Sequence, residues 1–244
     1  MRPVLPVASA SRNRAIDKNG IRVVVYRGEH GEPGEVPFQT RQGSITFVDD
    51  PQAASHYATH PNNGRDMPRV PRVFRATLDI RKPVINQPGD PFIDGGQIAA
   101  AVGEDEARAI LTRHANAAQN TDNWYFISAS FSDVQQFLKE CPERFGELYL
   151  EAYRAFDDTN AVELFRKAGY DGAIYRGSGL TRDNVEYRVF SPRQVQAVSL
   201  QRPVGIGRRQ PASYTPSRDH RCTPHFLRKL LHHSTISSAI RRNS

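Results

Sequence analysis

The sequence predicts an α+β fold, with strands towards both ends of one domain and helices between them. The run VVVYRGE at 23–29 is apolar and β-branched, as buried strands are. Residues 104–156 show mostly helical spacing of apolar side chains, and residues 185–200 return to strands. We therefore expect strands that enclose a helical insertion, which commonly borders the functional cleft of such a domain.

The first part of the domain contains strands around one helix. Predicted strands cover residues 23–29, 44–48 and 71–80. A loop rich in Gly and Pro separates the first two. Asp50 stands at the N-cap of a helix and Pro51 at its first helical position, where the missing N–H costs nothing. This helix is expected to end before Pro61, and Pro83 is expected to close the third strand.

The middle of the chain is predicted to be helical, and strands follow it. Predicted helices cover residues 104–119, 134–140, 144–156 and 159–168. Predicted strands cover residues 172–175, 185–190 and 195–200. Gly169 is expected to end the last helix. The connection at 121–133 contains the single tryptophan, Trp124.

The net charge of +7 belongs to the C-terminal end of this 244-residue chain. Residues 205–244 hold seven arginines and one lysine against the single Asp219, so the preceding residues sum to zero. We expect a disordered leader at 1–20, a domain at 21–203 and a basic, disordered tail at 204–244. The tail is predicted to contact an anionic partner or surface. The polar leader suits an exported bacterial effector, although many disordered N-termini look the same.

Several kinds of protein and site are disfavoured. The longest apolar runs are far shorter than the ~20 residues of a membrane-spanning helix. Cys141 and Cys222 lie on either side of the predicted domain edge, so we expect no structural disulfide. No metal site is expected either, since the cysteines lack ligand spacing and half of the histidines lie in the tail. No glycine-rich phosphate loop follows a strand, which argues against a Rossmann or P-loop nucleotide site.

Three pieces of the sequence together resemble the ADP-ribosyltransferase fold: VVVYRGE at 23–29, GSITFVDDPQAASHYA at 43–58 and NVEYRVF at 184–190. The resemblance covers roughly residues 21–200. It implies two packed β-sheets, with NAD as substrate held between a first-strand arginine, a second-strand hydroxyl and a late-strand glutamate. It also implies a bacterial toxin or effector that is secreted and acts in the host cytoplasm.

The resemblance assigns the first-strand and late-strand residues. Glu186 would be the catalytic carboxylate, whose negative charge stabilises an oxocarbenium-like transition state at the ribose. Without the resemblance, Glu186 is better interpreted as an outward residue of an alternating strand. Arg27 would hold the diphosphate or the ribose with parallel hydrogen bonds. Gly28 would let the backbone reach the carboxamide of nicotinamide.

The resemblance leaves the second-strand hydroxyl open. Ser44-Ile45-Thr46 is similar to a divergent Ser-Thr-Ser motif, so either Ser44 or Thr46 would be the catalytic hydroxyl that orients Glu186. Tyr57 occupies the position at which related enzymes stack a tyrosine on the nicotinamide ring. A tyrosine that only packs its helix on the core would look the same in the sequence.

The expected function is that of a mono-ADP-ribosyltransferase that cleaves NAD and releases nicotinamide. Arginine-modifying members carry a second glutamate two residues before the catalytic one, and here that position is Asn184. The acceptor is therefore expected to be a host protein side chain other than arginine, such as a hydroxyl, of which a ubiquitin threonine is one possibility. A nucleic acid acceptor stays open. The alternatives are an inactive binding module and an NAD glycohydrolase.

Deletion of residues 205–244 tests the role of the tail, because it removes the net charge of +7 and none of the expected NAD contacts. NAD cleavage in buffer should survive the deletion, and binding to anionic vesicles should weaken. Binding by the full chain should fall steeply with salt, since exposed charges are screened over ~10 Å at 0.1 M. If Phe226, Leu227, Leu230 and Leu231 instead packed as a helix on the domain, the truncated chain would melt at a much lower temperature.

Overall fold

The computed structural model describes residues 12–31, 38, 43–60 and 70–204, and it has the α+β class that the sequence predicts. The first part contains β1 (Val24–Gly31), β2 (Ile45–Val48), α1 (Pro51–Thr59), β3 (Val70–Leu78) and β4 (Pro83–Gln87). The middle contains β5 (Phe92–Asp94), α2 (Gly95–Val102), α3 (Glu104–Arg113), α4 (Ala115–Gln119), α5 (Asp122–Ile127), α6 (Val134–Glu140) and β6 (Tyr149–Glu151). The last part contains α7 (Ala152–Asp157), α8 (Thr159–Lys167), β7 (Gly172–Arg176), β8 (Val185–Val189) and β9 (Val195–Gln201).

The main sheet has seven strands in the order β4-β7-β8-β2-β1-β3-β9, and β5 and β6 form a separate two-stranded sheet. Neighbouring strands of the main sheet are antiparallel, except for the parallel pair of β4 and β7. β1 and β2 are joined at the single pair Tyr26↔Val48. The sheet therefore has two halves, one on each side of this pair.

One apolar cluster, the shared core, contains side chains from both halves of the sheet. Val25 and Phe74 come from β1 and β3, and Phe47 and Ile174 come from β2 and β7. Burial of each large apolar side chain contributes about 1.5–3 kcal/mol. The structure thus has one hydrogen-bonded seven-stranded sheet, whose two halves share a core, and a small second sheet. The two packed sheets that the resemblance implies stay a prediction.

Helix α1 begins as the sequence predicts. The Asp50 carboxylate accepts hydrogen bonds from the backbone amides of Gln52 and Ala53 at 2.9 and 3.2 Å, and Pro51 is the first helical residue. These bonds satisfy amides that have no partner inside the helix. The start of α1 is thereby fixed directly after β2.

The helices of the middle segment form a second and larger apolar cluster. Its fully buried aromatic side chains include Phe137, Phe156 and Phe165. Ala173 and Tyr175 of β7 belong to the same cluster. The helical segment is therefore packed on the sheet at β7, and this packing brings α7 next to β8.

The predicted helix over 144–156 is wrong. The chain forms a 3-10 turn over Pro142–Glu147, then β6 and then α7. β6 pairs with β5, where Leu150 lies opposite Ile93 and both side chains are fully buried. Pairing with a distant segment overrides the local helical spacing here, and such a partner is not visible within one stretch of sequence.

Other differences from the predicted elements are smaller. Pro83 begins β4, which pairs with β7, and the sequence patterns did not indicate β4, β5 or α2. The predicted helix over 104–119 is divided at His114 into α3 and α4, and Trp124 lies in α5. Gly169 follows the end of α8 with a φ of 84°, so the predicted glycine stop is confirmed. The predicted strands that become β7, β8 and β9 are also confirmed.

Residues 12–20 differ from the expectation of a disordered leader. The side-chain amide of Asn13 donates to the carbonyl of Leu78 at 2.8 Å, and its oxygen accepts from the amide of Ile80 at 2.9 Å. Ala15 is fully buried in the shared core. These contacts hold the segment against the end of β3, and they were not visible in its polar sequence.

The remaining expectations about the ends of the chain concern residues 1–11 and 205–244, which lie outside the described residues. Within the part that the structure describes, no helix is long and apolar enough to cross a membrane.

Gly28 sets the distance between β1 and α1. A Cβ at this position would lie 1.9 Å from the carbonyl oxygen of Ala54 and 2.8 Å from the amide nitrogen of Ala58. Both are backbone atoms of α1, which cannot turn away as a side chain could. A glycine at this position is therefore required for α1 to lie so close to β1.

Gly28→Ala should lower the free energy of unfolding by about 1–3 kcal/mol, the usual cost of extra atoms in a filled contact. Unfolding in urea measures the change. Gly89→Ala is the matched control, because a Cβ at Gly89 meets no atom within 4 Å. Equal unfolding midpoints for Gly28→Ala and the parent would contradict this packing role.

Candidate active site

A cavity of about 450 Å³ lies between β1, β2 and β8 of the sheet, α1 and the segment around α7. Five of the six residues that the resemblance assigns to NAD line it: Arg27, Gly28, Thr46, Tyr57 and Glu186. The sixth, Ser44, does not. The cavity falls within the range of about 300–1,000 Å³ that is typical of small-molecule sites.

Glu186 faces the cavity because side chains alternate along β8. Val185, Tyr187 and Val189 pack on the shared core, while Glu186 and Arg188 lie on the opposite face. Glu186 is only 5% exposed. The interpretation of Glu186 as an outward, solvated residue is therefore wrong.

Both carboxylate oxygens of Glu186 accept hydrogen bonds from buried side chains. Tyr175 Oη donates to Oε2 at 2.8 Å, and Thr181 Oγ1 donates to Oε1. Arg188 Nη2 also donates to Oε2, at 3.3 Å. A buried carboxylate without partners is strongly destabilising, so these hydrogen bonds are needed for Glu186 to be buried at this position. They also fix its orientation.

Arg188 is the cation that holds the polar side chains of the site together. Arg188 is 4% exposed, and its guanidinium donates to Glu186, to Asp157 Oδ1, to Tyr175 Oη at 2.8 Å and to Ser44 Oγ at 3.4 Å. Burial acts to lower its pKa, but the Tyr175 hydroxyl and the two carboxylates raise the pKa above its ordinary value. The guanidinium therefore stays charged although it is buried.

The sequence contains only part of the signal for this network. Arg188 follows Glu186 by two residues, so the two must share a face of the strand, and this spacing could have identified Arg188. Tyr175 lies opposite Glu186 in the pairing of β7 with β8, a register that the local sequence does not give. Asp157 comes from the end of α7, where the sequence offers no comparable signal.

Thr181 reaches Glu186 from the connection between β7 and β8. This connection forms a short 3-10 turn over Gly179–Thr181, and Thr181 is fully buried. A Cβ at Gly177 would lie 2.2 Å from Thr181 Oγ1, so the glycine lets the connection fold back on itself. Burial also raises the pKa of Tyr175 well above its ordinary value, so its hydroxyl is retained as a donor to Glu186.

The two candidate hydroxyls of the second strand have different positions. Thr46 lines the cavity, whereas Ser44 is 1% exposed and is not part of the lining. Ser44 Oγ donates to the carbonyl of Phe156 at 2.6 Å and accepts from Arg188. Neither hydroxyl is the donor that orients Glu186. The structure differs here from the expectation that a second-strand hydroxyl orients Glu186. Ser44 instead accepts from the Arg188 guanidinium, which in turn donates to the Glu186 carboxylate.

Arg27 lines the cavity and is partly engaged by the protein. Its Nε donates to Glu29 Oε1 at 2.6 Å, and its Nη1 donates to the carbonyl of Thr46 at 3.0 Å. The Arg27 side chain is 18% exposed. The cation that the resemblance assigns to the diphosphate or ribose is thus held between β1 and β2, with some of its hydrogen-bonding capacity already used.

Gly28 lines the cavity as expected. The structure explains the absence of a side chain by the close contact with α1, whereas the resemblance explained it by the approach of NAD. The volume that its side chain would need is occupied by the backbone of Ala54 and Ala58. Helix packing therefore accounts for the missing side chain. The expected approach of a nicotinamide carboxamide to this backbone stays a prediction.

Tyr57 places an aromatic ring at the cavity from α1. Burial raises the pKa of Tyr57, and the charge of Glu186 raises it further. The lining as a whole combines three tyrosines, three carboxylates and two guanidiniums. Such a lining suits a ligand that has an aromatic, cationic part and an anionic part.

No group of three or more potential metal ligands occurs among the described residues. The sequence does contain one histidine pair at helical ligand spacing, which the expectation of no metal site overlooked: His56 of α1 and His60, directly after the helix. Their rings stack with centroids 4.2 Å apart, and burial together with the neighbouring His60 lowers the pKa of His56. Two nitrogens are fewer than the ligands of ordinary zinc sites, so the pair alone makes no metal centre.

Comparisons with protein-family models, with curated proteins and with solved structures give no match to this chain. The site itself consists of a fixed and buried carboxylate, the buried cation that holds it, and a lining that is partly aromatic and partly charged.

Arg188→Met keeps a long side chain but removes the charge, and it should destabilise the fold by about 3–5 kcal/mol, because it leaves the buried Glu186 carboxylate without its cation. Arg144→Met is the matched control. Arg144 pairs with Glu147 at 2.8 Å, but these side chains are 43% and 47% exposed. Such surface pairs contribute about 0–1 kcal/mol. Similar losses for both variants in urea unfolding would contradict the central place of Arg188.

Proposed function

We propose that this chain is a mono-ADP-ribosyltransferase of the ADP-ribosyltransferase fold. It takes NAD as substrate, releases nicotinamide and transfers ADP-ribose to a host macromolecule. One observation supports this most strongly: Arg27, Gly28, Thr46, Tyr57 and Glu186 come from three separate stretches of the sequence and line one cavity. The resemblance assigned all five to NAD on the basis of sequence alone.

The position of Glu186 supports cleavage of the bond between ribose and nicotinamide. Positive charge develops on the ribose as this bond breaks, and a fixed negative charge nearby lowers the barrier. The bonds from Tyr175 and Thr181 hold the Glu186 carboxylate in place before any reaction. No reorganisation is then required when the charge develops, which is the condition for strong electrostatic stabilisation.

Other residues of the lining support binding of NAD in a defined direction. Tyr57 and Tyr153 place aromatic side chains in the lining, where a flat ring that carries a positive charge could contact them. Arg27 offers a guanidinium to the anionic diphosphate. These two kinds of contact would place the reacting ribose between them, beside Glu186.

One observation favours the alternative of a binding module without turnover. Arg188 donates to Glu186 at 3.3 Å, and its positive charge offsets part of the negative charge that the reaction would use. However, Asp157 is bound to the same guanidinium, so two carboxylates face one cation. The cluster keeps a net negative charge, and we therefore retain the enzyme as the proposed function.

The acceptor is proposed to be a side chain other than arginine on a host protein. Asn184 takes the position of the second glutamate, and its backbone groups bond with Gly177 and Thr181 at 2.9 and 2.8 Å. A hydroxyl acceptor, such as a ubiquitin threonine, or a nucleic acid is compatible with this site. Action as a secreted bacterial effector in the host cytoplasm is proposed from the sequence alone.

Glu186→Gln tests the proposed chemistry, because it keeps the size and much of the hydrogen bonding of the side chain and removes its charge. Nicotinamide release from NAD should fall by about 10²-fold or more while NAD still binds, as for loss of one preorganised electrostatic group. Chromatography of nicotinamide and labelling of host-cell lysate with labelled NAD measure cleavage and transfer. Glu163→Gln on the exposed side of α8 is the matched control and should keep the parental rate.

Three outcomes separate the alternatives. Equal rates for Glu186→Gln and the parent would remove Glu186 from the chemistry. Saturable NAD binding by a parent that releases no nicotinamide would favour the binding module. Release of nicotinamide with no labelled acceptor in the lysate would favour the NAD glycohydrolase.

A further inference from the structure

Asp157 is a second carboxylate of the cavity, and the proposed cleavage of NAD does not use it. It is the last residue of α7. It lines the cavity and also a neighbouring depression of about 350 Å³, and Tyr153 is likewise shared by both. The cavity and the depression therefore meet at these two side chains.

The two oxygens of the Asp157 carboxylate are in different situations. Oδ1 accepts from Arg188 Nη1, and the same guanidinium holds Glu186 through Nη2. Within the described parts of the chain, Oδ2 has no hydrogen-bond donor, and the side chain is 29% exposed. One oxygen thus fixes the carboxylate beside Glu186, and the other can contact a ligand.

Transfer of ADP-ribose to a hydroxyl requires that one proton be moved. Nicotinamide leaves with the electron pair of the C1′–N bond and becomes neutral, so its departure needs no acid. The attacking hydroxyl must lose its proton, and a carboxylate within reach is a common general base. Inverting glycoside hydrolases likewise use a carboxylate as the general base that activates the attacking water, in addition to a second carboxyl group that acts on the leaving group.

We propose that Asp157 is the general base for the acceptor and that the acceptor enters through the neighbouring depression. This inference rests on the proposed function. In the step, the acceptor oxygen forms a bond to C1′ as the C1′–N bond breaks. Nicotinamide takes the electron pair of the broken bond, and the acceptor proton passes to Asp157 Oδ2. Glu186 remains ionised throughout.

The charges of the depression suit a neutral hydroxyl better than a guanidinium or an ammonium group. Two positive and two negative side chains line it: Arg113, Arg154, Asp157 and Asp158. Asp158 is already bound by Arg113 at 2.9 Å and by His114 at 3.1 Å. A cationic acceptor therefore finds no excess of negative charge, whereas a hydroxyl needs only the available oxygen of Asp157.

Asp157→Asn tests the proposed base with NAD and two small acceptors, methanol and azide. The asparagine oxygen still accepts from Arg188, but the amide cannot take up a proton. Methanol must lose a proton when it attacks C1′, whereas the azide anion has none to lose. Formation of methyl ADP-ribose should fall by about 10²–10⁴-fold, the usual contribution of a general base. Formation of ADP-ribosyl azide should fall far less.

The matched control is Asp105→Asn, because Asp105 is a fully exposed carboxylate of α3. It should leave both products at parental rates. If Asp157→Asn does not fold, Asp157→Glu allows the same comparison, since it keeps the charge beside Arg188 and displaces the base. Methanol transfer should again fall more than azide transfer.

Equal losses of both products would mean that Asp157 only positions Arg188, and this would overturn the general base. Failure of the proposed function has a different signature. In that case the parent itself would release no nicotinamide with either acceptor.

Discussion

The pairing of Arg188 with Glu186 and Asp157 is the interaction on which the candidate site depends. It joins β8 of the sheet to the end of α7, and these elements are packed in different apolar clusters. Removal of the Arg188 and Glu186 charges from water costs several kcal/mol, and their pairing and hydrogen bonds offset this cost. The carboxylate at the cavity is therefore held by a guanidinium that also binds the end of α7.

Close backbone contacts give the cavity its shape around this cluster. Gly28 lets α1 lie against β1, and Gly177 lets the β7–β8 connection bring Thr181 to Glu186. The cavity meets the neighbouring depression at Asp157. Arg188 therefore holds Glu186 in the cavity and Asp157 where the cavity and the depression meet. This arrangement links the proposed NAD cleavage at Glu186 to the proposed proton transfer at the acceptor.

The sequence predicts those elements whose signals are local. Alternation gave β8, Asp50 and Pro51 gave the start of α1, and Gly169 gave the end of α8. The short strands β4, β5 and β6 were missed because pairing with distant segments forms them. In the site, the sequence offered Ser44 or Thr46 as the hydroxyl that orients Glu186, whereas Tyr175 and Thr181 are the hydroxyl donors. Hydrogen bonds between segments that are distant in the sequence leave no recognisable spacing. The pair of Glu186 and Arg188 is different, because the two residues are two positions apart on one strand.

A crystal structure of the Glu186→Gln variant with NAD is the most direct test of the cavity as an NAD site, because slow cleavage leaves the substrate intact. We predict that the ribose next to nicotinamide lies within hydrogen-bond distance of the substituted side chain. The nicotinamide ring should contact Tyr57, and the diphosphate should lie at Arg27. NAD bound elsewhere, or an empty cavity at concentrations that saturate the variant in solution, would contradict the account.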